Sequence, residues 1–266
     1  MKKLTFALLC LSLMLPLFGQ TITCSGSTTV LPIAQATAEA FMDKYPQINI
    51  SVRGGGSGVG IAALQNGTVQ IANSSRKIKS KELSAAKANG IDPRGYAVAN
   101  DGIAIVLHPS NKVKALTTAQ IKDIYTGKIK NWQQLGGDKI PIVIISRDVA
   151  SGTFEVFNEK ALGGAKVDPS AQMLASNNAV VSTVADTPGG IAYAGLGYVN
   201  DEVKVVTVNG IMPSMKTIKD GSYPLSRKLY MYTDGKASGN VASYIGFIQG
   251  PEGQNIVEQN GFIRID

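Results

Sequence analysis

The sequence predicts an α/β fold built from two sheets with helices on their faces. Short β-branched runs alternate with helical patterns along nearly the whole chain. Three times the same unit recurs, a strand, a Ser/Gly/Thr turn and a helix start. Past an apolar leader, about 245 residues remain, a size that suits one or two α/β domains.

The leader comes first. Met1-Lys2-Lys3 is followed by an apolar run over residues 4–18 with Pro16 near its end, the pattern of a signal peptide over residues 1–20. The run is short for a membrane span, and no later stretch is long and apolar enough. An exported protein is expected, in the periplasm or at the extracellular surface.

Residues 21–23 read as a strand, and 30–42 as a helix with Val30, Ile33, Ala34, Ala38, Phe41 and Met42 on one face, ending before Pro46. Residues 48–52 are a strand, 61–64 begin a helix, and 69–72 are a short strand. Ser80 is the expected cap of a helix that stops at Asn89-Gly90. Residues 96–99 and 103–107 read as two extended runs interrupted by Asn100-Asp101-Gly102.

In the middle of the chain, Thr117-Thr118-Ala119-Gln120 fits a capping box for a helix stopped by Gly127. Residues 131–135 form a short helical turn, and 140–145, broken only by Pro141, read as a buried strand. A helix over 176–186 and strands over 191–194 and 203–208 follow. A short helix over 213–219, a strand over 229–233 and two helices, the last stopping at Asn260-Gly261, finish the chain.

The three turns carry the chemistry. Ser25-Gly26-Ser27-Thr28, Gly54-Gly55-Gly56-Ser57-Gly58 and Ser146-Arg147-Asp148-Val149-Ala150-Ser151-Gly152-Thr153 each precede a helix start. The first amides of a helix lack intrahelical acceptors, and the dipole there favours negative charge. Arg147 adds a planar cationic fork, and the hydroxyls add neutral donors. Three such helix starts meeting at one point would make an anion receptor. For Ser151 the alternative is a plain helix cap, and for Arg147 a solvated surface charge.

The ordered set of these turns, with Ser74-Ser75-Arg76, Asp101-Gly102-Ile103-Ala104, Gly189-Gly190-Ile191-Ala192-Tyr193 and Tyr223-Pro224-Leu225-Ser226-Arg227, resembles the phosphate-binding proteins of bacterial ABC-type phosphate importers. It covers nearly everything after residue 21. It implies a periplasmic-binding-protein-like, type II fold of two lobes joined by two crossing strands. Lobe 1 would hold residues 21–107 and 212–266, and lobe 2 residues 108–211. It also implies capture of inorganic phosphate between the lobes, delivery to the membrane permease of an ABC importer, and action as a monomer. Carried over residue by residue, the site takes Thr28 with Ser27 or Thr29, then Ser57, then Arg147, Ser151, Gly152 and Thr153. Ser75 stands where some members carry an aspartate that accepts from protonated phosphate. Asp101 is the expected replacement acceptor, with Asp148 next. Arg76 either contacts the ligand or braces its loop.

Other classes fit less well. The formal charge of +7 falls to about +5 without Lys2 and Lys3, a mildly basic surface that attracts anions. It lacks the clustered Lys/Arg interleaved with aromatics of a nucleic-acid binder. Ser57 and Ser151 would need a positioned base to act as nucleophiles in a phosphoester hydrolase, and the one histidine, His108, sits in no motif. Gly54-Gly55-Gly56-Ser57-Gly58 lacks the Lys-Ser/Thr ending of a P-loop. One His and two Cys, with no spaced acidic cluster, make a poor ligand set, so neither metal nor cofactor is expected. Cys10 lies in the leader, which leaves Cys24 without a disulfide partner. The residues before Cys24 argue against a lipid anchor there and favour a small buried strand residue. Sulfate and molybdate remain the rival oxyanions.

Overall fold

The computed structural model describes residues 21–265, and the leader expected at 1–20 lies outside them. The chain opens as a strand–helix alternation: β1 (Thr21–Gly26), α1 (Leu31–Lys44), β2 (Asn49–Arg53), α2 (Ser57–Gln65) and β3 (Ile71–Ser74). β1 is central and parallel to both neighbours, with Cys24 level with Val52 on one side and Ile71 on the other. Parallel neighbours need crossovers, and α1 and α2 supply them. Ile22 and Cys24 alternate into the core beneath α1.

After α3 (Ser80–Ala88), the chain runs through β4 (Pro93–Leu107), 15 residues without a break. Here the reading of two runs interrupted at Asn100-Asp101-Gly102 is corrected. Asp101 lies level with Arg227 and Gly102 with Ser226 in an antiparallel ladder, so these turn-forming residues sit inside a paired strand. Ser80 is also not the cap; Lys79 holds that position, and Glu82 reaches back to its amide.

The middle of the chain gives β5 (Ala115–Leu116), α4 (Thr118–Tyr125), β6 (Val143–Arg147), α5 (Gly152–Phe157), β7 (Gln172–Leu174), α6 (Asn177–Ala185) and β8 (Gly190–Gly195). β6 starts later than the apolar run suggests. Pro141 has no amide to donate, and its segment makes only an isolated bridge to Asn131. The expected strand over 203–208 splits into β9 (Lys204–Val205) and β10 (Thr207–Val208), which pair with β4 and β5 respectively. α7 (Met215–Lys219), β11 (Ser226–Asp234), α8 (Gly239–Gln249) and α9 (Pro251–Gln259) complete the chain.

The sheets share β4. Its first part pairs with β11 in the order β2-β1-β3-β11-β4, and its last part pairs with β8, which leads on to β6 and β7. Two cores follow. One packs Ile22, Ile33, Phe41, Ile71 and Val98 against Leu229, Tyr244 and Phe262. The other gathers Ile103, Leu107, Ile121, Tyr125, Trp132, Phe157 and Tyr193 with Tyr223 and Leu225. The chain therefore crosses between lobes around residues 100–102 and again near 226. Ile103, Ile105, Leu107, Ile218, Tyr223 and Leu225 all pack into the second core.

Candidate functional site

The three predicted turns meet where the two cores face each other. Gly56 N donates to Gly26 O at 2.8 Å, and Gly58 N donates to Ala150 O at 3.0 Å, so the second turn touches both others. Gly26 has φ 136°, and a Cβ there would lie 2.2 Å from Asn73 O, so only glycine lets the first turn close on β3. Gly152 is fixed by sterics too. A Cβ on it would fall 2.3 Å from Ser57 Oγ and 2.7 Å from Ser75 Oγ, so these hydroxyls crowd against the third turn.

Each hydroxyl has a local role. Ser27 Oγ accepts from the amides of Thr29 and Val30 and so holds the start of α1. Ser151 Oγ accepts from Thr153 N and Phe154 N, which makes it the N-cap of α5. The plain-cap reading of Ser151 thus holds, and capping leaves its own proton to donate. Ser57 Oγ accepts from Ser75 N at 3.0 Å and lies 3.3 Å from Ser75 Oγ.

Arg147, at the end of β6, is 1% exposed, which removes its solvated-surface alternative. Its Nε donates to Leu174 O at 3.1 Å, and Nη2 to Ala175 O at 2.8 Å and Thr28 Oγ1 at 3.1 Å. Its Nη1 is buried and has no partner among the described residues. Burial pulls the guanidinium down to about 10, with the Asp148 carboxylate opposing that shift, and leaves it protonated at neutral pH. Beneath it, Tyr193 OH accepts from Arg147 N at 3.1 Å and pairs with Ser146 Oγ at 2.8 Å, while its ring stacks on Phe157. That platform fixes where the fork lies. Asp148 turns to its own loop and accepts from Ala150 N.

Asp101 stands at the crossing, fully buried, but its carboxylate is already engaged. Oδ2 meets Arg227 Nε at 2.9 Å and Nη2 at 2.8 Å, and Oδ1 accepts from Leu196 N at 3.0 Å. Burial pushes the Asp101 carboxyl above its ordinary value, with Arg227 pulling against that shift. Arg227 in turn donates from Nη1 to Thr153 Oγ1 at 3.0 Å and from Nη2 to Thr29 Oγ1 at 3.3 Å. Thr29 and Thr153 Oγ1 lie 2.9 Å apart.

Two members of the cluster escape sequence reasoning. Arg227 lies in a quoted motif without a role there, and its partnership with Asp101 depends on β4–β11 register. Asn177, first residue of α6 and fully buried, carries no signal at all. Its Nδ2 reaches Thr28 Oγ1 at 3.2 Å and Thr29 Oγ1 at 3.1 Å. Arg76 is engaged as a brace. It forks onto Glu82 through two 2.7 Å bonds and pairs with Glu155 of α5. His108 sits just past the end of β4 on Ser110 Oγ, 2.8 Å away, and is partly buried. It offers no base to Ser57 or Ser151.

A two-lobed α/β fold with a buried, donor-lined junction is the architecture of a binding protein, and the chain belongs to the PBP superfamily, whose domain model matches residues 19–252. Among its relatives, the phosphate-binding protein PstS of Bacillus subtilis (strain 168) is 36% identical over 250 residues, spanning 92% of this chain and 80% of that protein. The structure of a phosphate ABC transporter substrate-binding protein with bound phosphate from Clostridium perfringens superposes with a TM-score of 0.87 at 35% identity, covering 93% of this chain and 100% of that one. An ABC-type phosphate transport receptor from Vibrio cholerae matches with a TM-score of 0.76 at 29% identity, covering 92% and 100%.

Proposed function

We propose that this chain is an exported, monomeric substrate-binding protein that captures inorganic phosphate between its lobes and delivers it to the permease of an ABC importer, without a covalent step. The observation that carries the reading is Arg147 Nη1, a buried cationic donor with no partner among the described residues, at the junction of three helix starts. An oxyanion satisfies it. The names of the relatives, binding proteins and transport receptors for phosphate, support that anion over others.

In this reading Thr28, Ser57, Ser151, Gly152 and Thr153 donate to the anion alongside Arg147, and Ser27 shapes the first turn. Ser75 holds Ser57 and faces the same space. Asp101 contributes by holding Arg227, since its oxygens have little left to offer a protonated ligand. Closure of the lobes excludes water and strengthens each contact. Cys24, 2% exposed within β1, is a core residue in this reading and bears no lipid.

Calorimetric titration of the purified protein with phosphate, sulfate and molybdate tests the proposal. Saturable binding with phosphate preferred is the expected result. Preference for sulfate or molybdate would reassign the ligand, and turnover of a phosphate ester would overturn the receptor reading.

A further inference from the structure

The hydroxyl of Thr28 has a settled polarity. Its oxygen accepts from Arg147 Nη2 at 3.1 Å and from Asn177 Nδ2 at 3.2 Å. A hydroxyl oxygen has two acceptor positions, and both are filled. The Thr28 proton is therefore left to donate outward, and no protein acceptor takes it among the described residues. Thr29 follows the same logic one residue on. Its oxygen accepts from Asn177 Nδ2 at 3.1 Å and Arg227 Nη2 at 3.3 Å, which sends its proton to Thr153 Oγ1. Thr153, already accepting from Arg227 Nη1, is then also a donor to whatever lies beyond.

Asn177 sits at the centre of this arrangement. Its own orientation is fixed, because Gly195 N donates to Oδ1 at 3.2 Å, leaving only Nδ2 to face the threonines. Asn177 begins α6, which packs in the second lobe, whereas Thr28 and Thr29 belong to the first turn. The contact that sets the hydroxyl polarity thus exists only when the lobes are together.

We infer that Asn177 is a positioning residue for the anion site: on closure its amide fills the acceptor positions of Thr28 and Thr29 and turns their protons into donors. It acts through the threonines and not on the ligand. The inference rests on the phosphate reading above. It explains a site in which neutral hydroxyls keep a fixed donor polarity without a base beside them.

The test is a double-mutant cycle in phosphate affinity between Asn177→Ala and Thr28→Val, read by calorimetry on the whole protein. Asn177→Ala alone should weaken phosphate binding about tenfold, the scale of one hydrogen-bond network contact. In the Thr28→Val background the same change should cost clearly less, because the hydroxyl it orients is gone. Asn177→Asp keeps the shape and the Gly195 contact, but its carboxylate would take the threonine protons for itself. It should bind phosphate more weakly than Asn177→Ala, whereas a space-filling role predicts the reverse order. Strictly additive losses, or an Asp variant that binds like wild type, would overturn the inference while phosphate binding by the wild type stands. Absence of phosphate binding by the wild type would remove the reading on which it rests.

Discussion

Replacing Arg147 by alanine separates the binding role of that residue from its structural one. The change deletes donors to Thr28 Oγ1, Leu174 O and Ala175 O, and with them the unpartnered Nη1. For the ligand-free fold, two effects oppose each other. Ala175, an exposed residue, loses the donor to its carbonyl, whereas Leu174 O keeps Asp148 N at 3.0 Å, so the lost bonds cost only about 1 kcal/mol. Against this, a buried cation is removed whose value, drawn down from 12.5 to about 10, reflects a desolvation cost of roughly 3 kcal/mol. The relief outweighs the lost bonds, so the midpoint of ligand-free unfolding should not fall. Binding has no such compensation. Losing a charged fork from a closed site costs about 2–5 kcal/mol, or roughly thirtyfold to several-thousandfold in Kd. Calorimetry with phosphate and thermal unfolding without it measure the two sides separately. Arg147→Lys should fall between, since it keeps the charge and loses the planar fork. Affinity within about threefold of wild type for Arg147→Ala would refute the assignment of this residue to the site.

Three further outcomes are expected. Asp101→Asn strands the buried Arg227, so denaturant unfolding should show a loss of about 3–5 kcal/mol, and an unchanged midpoint would mean the pair is not a structural brace. Burial raises the Cys24 thiol from 9.0 to about 12; between those values the unfolded chain has lost a proton that the folded chain keeps, so stability falls as pH rises through that window. Denaturation at a series of alkaline pH values should show a shallower slope for Cys24→Ala, and equal slopes would contradict the shift. Glu155 of α5 bridges to Arg76 and Lys79 from the opposite lobe, so Glu155→Gln should speed phosphate release several-fold in stopped-flow displacement with little change in the association rate; an unaltered release rate would exclude a latch at this rim.

Much of the donor set is legible in the sequence because it is local. Ser27, Ser57 and Ser151 announce themselves by standing before helix starts, where orphan amides need a hydroxyl or an anion. Arg147 is legible for the same reason, as a cation at the end of a strand leading into such a start. Asp101 is legible as a residue of the site, but its task is not. Flanked by Asn100 and Gly102 it carries every sign of a turn, and only pairing with β11 reveals a strand interior. Composition cannot show that Arg227 lies level with it, because 126 residues separate them in sequence and ladder register alone brings them together. Core membership is hidden on similar grounds. An apolar run such as residues 103–107 shows that it is buried and not which of two cores receives it.

The donors and their supports therefore obey different rules. A donor needs a helix start, which is written in three or four adjacent residues. A support needs a partner from the other lobe or another strand, which is written nowhere locally. Gly152 belongs to both kinds. Beside Ser151 it reads as a backbone donor at a helix start, yet the fold requires glycine there because Ser57 and Ser75 hydroxyls occupy the place of a Cβ. The residue that lets the third turn face an anion is thus also the one that lets the first lobe close on it. A larger residue at that position would press on the Ser57 and Ser75 side chains across the junction, so under the proposed function closure and recognition depend on the same few atoms.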